Sequence, residues 1–123
     1  MPEQSAKRKA EAVERVFQAL AHAARRQMLM TIHFRGGELS AGDIAARFGH
    51  TWATTTGHLN ALVEAGLLSR SHDGRRRLYR IDRTMLSLAS EWLRWFDGDA
   101  AEQTRAAVAT TYAKPLRRSV RRA

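Results

Sequence analysis

The chain has 123 residues, with 21 lysines and arginines against 12 aspartates and glutamates, so its formal net charge is +9. The length favours one domain with a modest core, and the absence of cysteine excludes disulfides, thiolate metal sites and cysteine nucleophiles. A positive excess of this size is typical of nucleic-acid-binding proteins, although a merely soluble basic protein or a protein that binds anionic membranes would share it.

No stretch of the sequence predicts insertion into a membrane or passage through one. A spanning helix needs a run of about 18 apolar residues, and no such run occurs. Residues 1–16 lack the apolar core of a signal peptide, and neither terminus carries a basic amphipathic helix with a bulky apolar face. We therefore expect a cytoplasmic protein.

Two helices are predicted in the first third of the chain. Residues 1–9 are polar and basic, which predicts a flexible basic arm. Apolar residues then recur at helical intervals from Val13 onward, which indicates a first helix from about residue 10 to residue 20 or 21. A second helix is expected over about residues 23–34, where two consecutive glycines end it.

The middle of the chain has the pattern of a helix-turn-helix. Ser40, with Asp43 three positions later, is a near capping box that predicts the start of a short third helix. A glycine ends that helix, and Thr51 is the predicted N-cap of a fourth helix over residues 51–65. Gly66 follows this helix as its expected C-cap.

A β-hairpin is predicted directly after the fourth helix. Residues 67–71 and 76–81 are strand candidates, and Asp73-Gly74 between them favours a tight turn. A helix-turn-helix followed by a hairpin is the plan of a winged helix, a DNA-reading module, whose wing would span residues 69–81. The expected fold is therefore mainly α-helical with a small β-hairpin.

A fifth helix and a C-terminal extension complete the predicted organisation. The fifth helix should begin at Asp82 or Thr84 and run to Phe96, with an apolar stripe too large to remain exposed on a small monomer. An alanine-rich stretch over residues 100–112 predicts a further helix, and residues 116–123 form a basic tail. The chain thus divides into a basic arm (1–9), a winged helix-turn-helix domain for DNA binding and dimerisation (10–97) and an extension (98–123).

The fourth helix is the predicted reading element. The second helix of a helix-turn-helix enters the major groove, where each base pair presents a distinct pattern of donors and acceptors. Threonine hydroxyls, an asparagine amide and methyl groups suit that task. Three consecutive threonines (54–56) and Gly57 weaken a helix, and that cost fits a surface where small residues permit close approach. The alternative is that the threonines only cap and pad the helix.

The wing is the second element that is predicted to contact DNA. Five arginines lie between residues 70 and 80, and three of them are consecutive at positions 75–77. Arginine at a hairpin tip can reach phosphates or enter a narrow minor groove. The alternative is an edge strand whose charges prevent pairing with other strands, but five arginines exceed that need.

Three segments resemble the ArsR/SmtB family of bacterial winged-helix repressors. Residues 16–34 look like that family's opening motif, F-x-A-L-x-D-x-x-R-x-x-I-L. Residues 39–68 resemble its helix-turn-helix segment, in which the portion H-L-x-x-L-x-x-A-G-L is intact from His58 to Leu67. Residues 74–79 resemble its wing. The resemblance covers about residues 13–96.

The resemblance implies a homodimer in the bacterial cytosol, on the nucleoid, that binds an imperfect inverted repeat in double-stranded DNA and represses transcription. It implies pairing through the first and fifth helices, and it places His58 near the DNA-reading face. The predicted dimer interface comprises Val13, Val16, Phe17, Leu20, Met85, Leu88, Ala89, Trp92, Leu93 and Phe96. The predicted DNA-binding residues are Ser40, Thr51, Trp52, Ala53, Thr54, Thr56, Gly57, His58, Asn60, Arg70, Arg75, Arg76 and Arg77.

The recognition helix departs from the family pattern near its start. Trp52 and Ala53 stand where the family often has serine or glutamine. Thr56 keeps the hydroxyl of a family serine, whereas Gly57 replaces a frequent arginine. The operator sequence therefore does not carry over from the resemblance.

The metal ligands that are frequent in the family do not occur here, so we expect no metal and no cofactor. The five histidines, at positions 22, 33, 50, 58 and 72, show no close ligand spacing. Two alternatives stay open: a metal-responsive repressor that uses His22 or His33 with carboxylates, and a winged-helix protein-interaction module that does not read DNA. No catalytic motif occurs, so we expect no enzyme activity and no catalytic residue.

Overall fold

The computed structural model describes residues 2–98 and residue 106. Met1–Trp92 form one compact unit and Leu93–Ala123 belong to a second. No helix among the described residues is long and apolar enough to cross a membrane. The helix predicted over 100–112 (Ala106 apart) and the tail over 116–123 lie outside the described residues. The elements are α1 (Pro2–Leu20), α2 (Ala23–Phe34), β1 (Glu38–Ser40), α3 (Ala41–Ala45), α4 (Trp52–Glu64), β2 (Leu68–Asp73), β3 (Arg76–Ile81) and α5 (Arg83–Arg94).

Helix α1 begins earlier than the sequence predicts. It starts at Pro2, so residues 2–9 are helical and do not form a separate arm before a helix at about residue 10. Proline is tolerated in a first turn because the backbone N–H there has no helical partner. Glu3 in the same turn is stabilised by the positive end of the helix dipole. Alanine, lysine, arginine and glutamate dominate the following turns, and these are strong helix formers.

The two predicted caps of the helix-turn-helix are confirmed. Ser40 Oγ accepts a hydrogen bond from the backbone N–H of Asp43 at 3.1 Å. Thr51 Oγ1 accepts one from the backbone N–H of Thr54, also at 3.1 Å. Both cap residues have extended backbone conformations, and each side chain satisfies an N–H that the helix itself leaves unpaired.

The sheet has three strands, and the hairpin accounts for two of them. Its order is β1-β3-β2 and all pairs are antiparallel. Strand β2 extends to Asp73, beyond the predicted end at residue 71, and Asp73 pairs with Arg76 of β3. The two-residue turn between them begins at Gly74, whose φ is 63°. Strand β1 pairs Leu39 with Tyr79, which places β3 in the middle. The wing is therefore attached to the segment that leads into α3.

The core is formed by the inward faces of all five helices and by residues of β2 and β3. Helices α1, α2 and α3 contribute apolar side chains, and Tyr79 enters from the middle strand. Burial of these groups supplies most of the driving force for folding. The large side chains with less than 2% exposure are Tyr79, Met28, Ile32, Ile44, Leu59, Leu62, Leu67, Leu68 and Val16.

Gly66 ends α4 in a conformation that other residues adopt at a cost. Its φ is +81°, and a Cβ built on it would lie 2.6 Å from Cγ of Met85 on α5. The left-handed conformation costs a non-glycine residue about 1–2 kcal/mol. We predict that Gly66→Ala lowers the free energy of unfolding by more than this, because Met85 must also move. Urea unfolding followed by circular dichroism measures the loss.

Gly74 provides the matched control for that substitution. It also has a positive φ, but a Cβ there would meet nothing within 4 Å. Gly74→Ala should therefore show the backbone cost alone, and the difference between the two variants isolates the contact with Met85. Equal losses in the two variants would contradict the predicted clash.

Candidate nucleic-acid interface

Helix α4 is held in one rotation by the side chains it buries. Thr55, Leu59 and Leu62 lie in the interior of the protein. With 3.6 residues per turn, these three share one face, so the opposite face of the helix must be exposed. Ala53 and Gly57 lie on that opposite face, and both are exposed. The N-terminal half of the outward face is therefore lined by small groups, and the exposed Glu64 lies on the same face at its C-terminal end.

Most of the predicted DNA-binding residues lie at the surface. Thr56, His58, Asn60 and Arg77 are half-buried. Ser40 differs from the rest, because it is only 7% exposed and its hydroxyl accepts the N–H of Asp43. Ser40 therefore caps α3 and does not form part of this surface. The exposed members of the set are Thr51, Trp52, Ala53, Thr54, Gly57, Arg70, Arg75 and Arg76.

The first turn of α4 presents a large apolar group beside a hydrogen-bond donor. Trp52 is 52% exposed. Thr51 Oγ1 donates to Thr54 Oγ1 at 3.0 Å. Because the Thr54 hydroxyl accepts this bond, its own proton remains available to donate to an oxygen acceptor. Phosphate oxygens and the acceptor atoms of base edges are such groups.

A hydrogen bond joins the recognition helix to the wing. Arg70 Nη1 on β2 donates to Asn60 Oδ1 on α4 at 2.8 Å. Asn60 uses its amide oxygen in this bond and retains two N–H donors. The sequence predicts both residues as DNA contacts, but it does not predict that they contact each other. Their bond is a direct side-chain contact between α4 and the wing.

The tip of the wing is densely positive. Arg75 lies in the turn, and Arg76 and Arg77 begin β3. Across the hairpin, Arg76 pairs with Asp73 and Arg77 with His72 in the strand register. Among the described residues, none of these three arginines forms an ion pair with a carboxylate. Their charges are therefore available to an external anion.

Three histidines and one arginine meet on another side of α4. Arg25 Nε on α2 donates to His58 Nδ1 at 3.2 Å. The ring centroid of His58 lies 6.1 Å from that of His22 and 5.8 Å from that of His50. Partial burial, and then the nearby groups Arg25, His50 and His22, lower the pKa of His58 below its ordinary value. We call these four residues the histidine cluster.

Sequence reasoning missed this cluster, because its members are separated along the chain and no local spacing links them. Within the part of the chain that the structure describes, no group of three or more histidine, aspartate or glutamate side chains is arranged to hold a metal ion.

The residues of the predicted dimer interface differ in their exposure: some are buried, some half-buried and some exposed. Val16 and Ala89 are buried within the single chain, so they belong to its core and offer no surface to a partner. Trp92 is 47% exposed, and its ring lies against Phe17 at a centroid distance of 5.5 Å. In the second unit, Leu93 and Phe96 are 53% and 71% exposed. The half-buried members are Val13, Phe17, Leu20, Met85 and Leu88.

Known proteins share this fold. The model of the MarR family matches residues 22–77. The ArsR-like transcriptional regulator from Rhodococcus sp. RHA1 is 26% identical with a TM-score of 0.60, over 87% of this chain and 97% of that chain. The homodimeric winged helix-turn-helix DNA-binding domain Mb0332 from Mycobacterium bovis, a possible ArsR-family transcriptional regulator, is 28% identical with a TM-score of 0.55, over 87% of this chain and 83% of that chain.

A curated relative decides the family. The transcriptional repressor SdpR of Bacillus subtilis is 32% identical over 78 residues, which are 63% of this chain and 84% of SdpR. The chain belongs to the ArsR family of winged-helix transcriptional regulators. Proteins of this family are transcriptional regulators. In this ArsR-family chain, the winged helix predicted from sequence is confirmed.

Gly57 provides a test of the exposed face of α4. A Cβ at this position would meet nothing within 4 Å, so glycine is not required there by the fold. Glycine within a helix is less stable than alanine by about 0.5–1 kcal/mol. We predict that Gly57→Ala raises the free energy of unfolding by about this amount. On the sequence prediction that DNA approaches this face, the added methyl group should also weaken DNA binding, because it takes up space there.

Gly42 in α3 serves as the stability control. It is also helical, and the nearest atom to a Cβ there is Ser40 Oγ at 4.0 Å. Gly42→Ala should give a similar gain in urea unfolding without the loss of affinity in fluorescence anisotropy. If Gly57→Ala is more stable and binds DNA as tightly as the wild type, DNA does not approach this face closely.

Proposed function

We propose that the protein is a homodimeric transcriptional repressor that reads an inverted-repeat DNA operator through α4 and the wing. The observation that carries this proposal is the exposed face of α4, lined by small groups and hydrogen-bonded to an arginine-rich wing through Arg70 and Asn60. The names of two relatives support it, since SdpR is a repressor and Mb0332 is a homodimeric DNA-binding domain.

The proposed reading mode follows from the groups on this surface. B-DNA's major groove is about 12 Å wide and admits one helix. The N-terminal end of α4, with its positive dipole, favours phosphate oxygens. Trp52 and the methyl groups of α4 would meet thymine methyls, while Thr54 and Asn60 would donate to acceptors on base edges. These contacts would supply sequence preference, and the wing arginines would supply affinity through phosphates.

Dimerisation would proceed through α1 and α5. The exposed apolar groups Trp92, Leu93 and Phe96 are large, and burying them in a partner removes apolar area from water. A two-fold dimer presents its two recognition helices to two half-sites about one DNA turn apart. An inverted repeat is the sequence symmetry that such a dimer requires.

Removal of the wing charges tests the DNA contact. For B-DNA, the logarithm of the binding constant falls with the logarithm of salt concentration, with a slope of about −0.9 per neutralised phosphate. Replacing Arg75, Arg76 and Arg77 by alanine should weaken binding and reduce the slope by up to about 5.4, because the proposed dimer carries two wings with these three arginines each. The measurement is fluorescence anisotropy over a salt series, on a duplex selected from genomic fragments.

Arg35 provides the charge control for this triple variant. It follows α2 directly and lies two residues before Gly37. The carbonyl of Gly37 accepts a hydrogen bond from the N–H of Ile81, at the end of β3 that is remote from the wing tip. Arg35→Ala should leave the salt slope unchanged. An unchanged slope in the triple variant would show that the wing tip does not contact phosphates, and failure to select any duplex would reject the proposed function itself.

A charge on α5 tests the proposed dimer. Trp92→Asp should give monomers in sedimentation velocity, because an unpaired carboxylate in an apolar interface is strongly unfavourable. Trp92→Phe is the control, since it keeps an aromatic ring beside Phe17 and should remain dimeric. A Trp92→Asp protein that is folded and still dimeric would place the interface elsewhere.

A further inference from the structure

The histidine cluster and the wing lie on different sides of the recognition helix. His58 contacts Arg25 of α2, whereas Asn60 contacts Arg70 of the wing. Two positions along an α-helix correspond to a rotation of about 200°, so the two contacts leave α4 in nearly opposite directions. The exposed residues Ala53 and Gly57 lie between them on the outward face.

This placement gives α4 two basic flanks of different chemistry. The wing flank carries arginines, which stay charged at every accessible pH. The other flank carries His22, His50 and His58, and histidine is the residue type whose charge ordinarily changes between about pH 5 and pH 8. A helix in the major groove has a phosphate strand on each side. The wing flank would meet one strand, and the histidine cluster would face the other.

The hydrogen bond from Arg25 determines which ring nitrogen of His58 carries the proton when the ring is neutral. Nδ1 accepts the Nε–H of Arg25, so it carries no proton, and the neutral ring holds its proton on Nε2. Protonation at Nδ1 would break this bond and place a second cation beside the guanidinium. In the absence of DNA the protein therefore resists charging His58, as the lowered pKa of its ring reflects.

The groups around the cluster come from every neighbouring element. His22 immediately precedes α2, and His50 precedes α4 and stacks on Phe48. A cavity of about 310 Å³ beside His22 and Arg25 is also lined by Arg15 of α1 and by Glu64 of α4. Cations thus outnumber the one carboxylate around this cavity, and a phosphodiester would add the negative charge that a protonated cluster lacks.

We propose that the histidine cluster is a proton-linked contact for the DNA backbone, so that operator binding takes up protons and tightens as pH falls through the histidine range. The inference rests on the proposed function and adds to it a regulatory input, the pH of the compartment. The bound phosphate stabilises the charged rings, and by linkage the charged rings stabilise the complex. Each proton taken up changes the dissociation constant by about tenfold per pH unit.

The test is a pH titration of operator affinity. Fluorescence anisotropy on the selected duplex, at constant ionic strength between about pH 5.5 and pH 8, spans the range in which histidine changes charge. We expect the wild-type dissociation constant to fall at least about tenfold over this range, which corresponds to an average uptake of about 0.4 proton or more. Circular dichroism at each pH checks that the protein stays folded, because the lowered pKa of His58 means that acid removes part of the folding stability.

Glutamine variants identify the groups that take up the protons. The triple variant His22→Gln, His50→Gln, His58→Gln should bind with a flat pH profile near the high-pH affinity of the wild type. If the triple variant does not fold, the single variant His58→Gln takes its place in the test. Its amide oxygen can still accept a hydrogen bond from Arg25, and its pH profile should have a smaller slope than that of the wild type. His33→Gln, on the exposed side of α2, should keep the full slope.

The outcomes separate this inference from the function on which it rests. A flat wild-type profile, or a full slope in the triple variant, overturns the proton-linked contact while DNA binding stands. The wing variant should bind more weakly at every pH with the slope retained, because its lost contacts do not titrate. No selected duplex at any pH would overturn the proposed function. Histidine pKa values from NMR should rise for His58 when DNA is added, and unchanged values would count against the contact.

Discussion

The rotation of α4 about its own axis is the constraint on which the surface depends. Thr55, Leu59 and Leu62 are buried, and moving any of them to the surface would expose apolar area at a cost of about 25 cal/mol per Å². Once these three face inward, the positions of all other side chains on the helix follow. Gly57 must face outward, His58 must turn toward α2, and Asn60 must turn toward the wing.

The surface of α4 carries residues that lower the stability of the helix. Gly57 has open space around it, yet the helix carries the entropic penalty of a glycine. Threonine is also a weak helix former, and Thr54 recovers part of that loss through its contacts with Thr51. Natural proteins often tolerate such local losses where a surface must meet a partner.

Sequence patterns predict those parts of the fold that are specified locally. The caps at Ser40 and Thr51 and the bounds of α2 depend on residues within one or two turns, and they agree with the structure. Strand β1 has three residues and is defined by pairing with β3, so no alternation within it could reveal it. The prediction of a separate arm over residues 2–9 is wrong, because the alanine, lysine, arginine and glutamate residues in that stretch are strong helix formers and continue α1 to Pro2.

The candidate site shows the same division between local and distant information. Residue types on α4 and in the wing indicate DNA, but burial decides which of them can reach it. Ser40 satisfies the patterns for both a cap and a polar contact, and the cap occupies its hydroxyl. The contacts of His58 with Arg25 and His22 join residues from different elements, so only the folded chain brings them together.

The connection from the wing to α5 is a single residue, Asp82. Its N–H donates to Leu67 C=O at 3.0 Å, and its carboxylate accepts the N–H of Thr84, also at 3.0 Å. With both sides of Asp82 bonded, no slack segment lies between β3 and α5. In a dimer that pairs through α5, the distance between the two wings is therefore set by the packing of the partners. An operator with an altered number of base pairs between its half-sites would have to bend or twist, since the protein has no loop here that could extend to follow it.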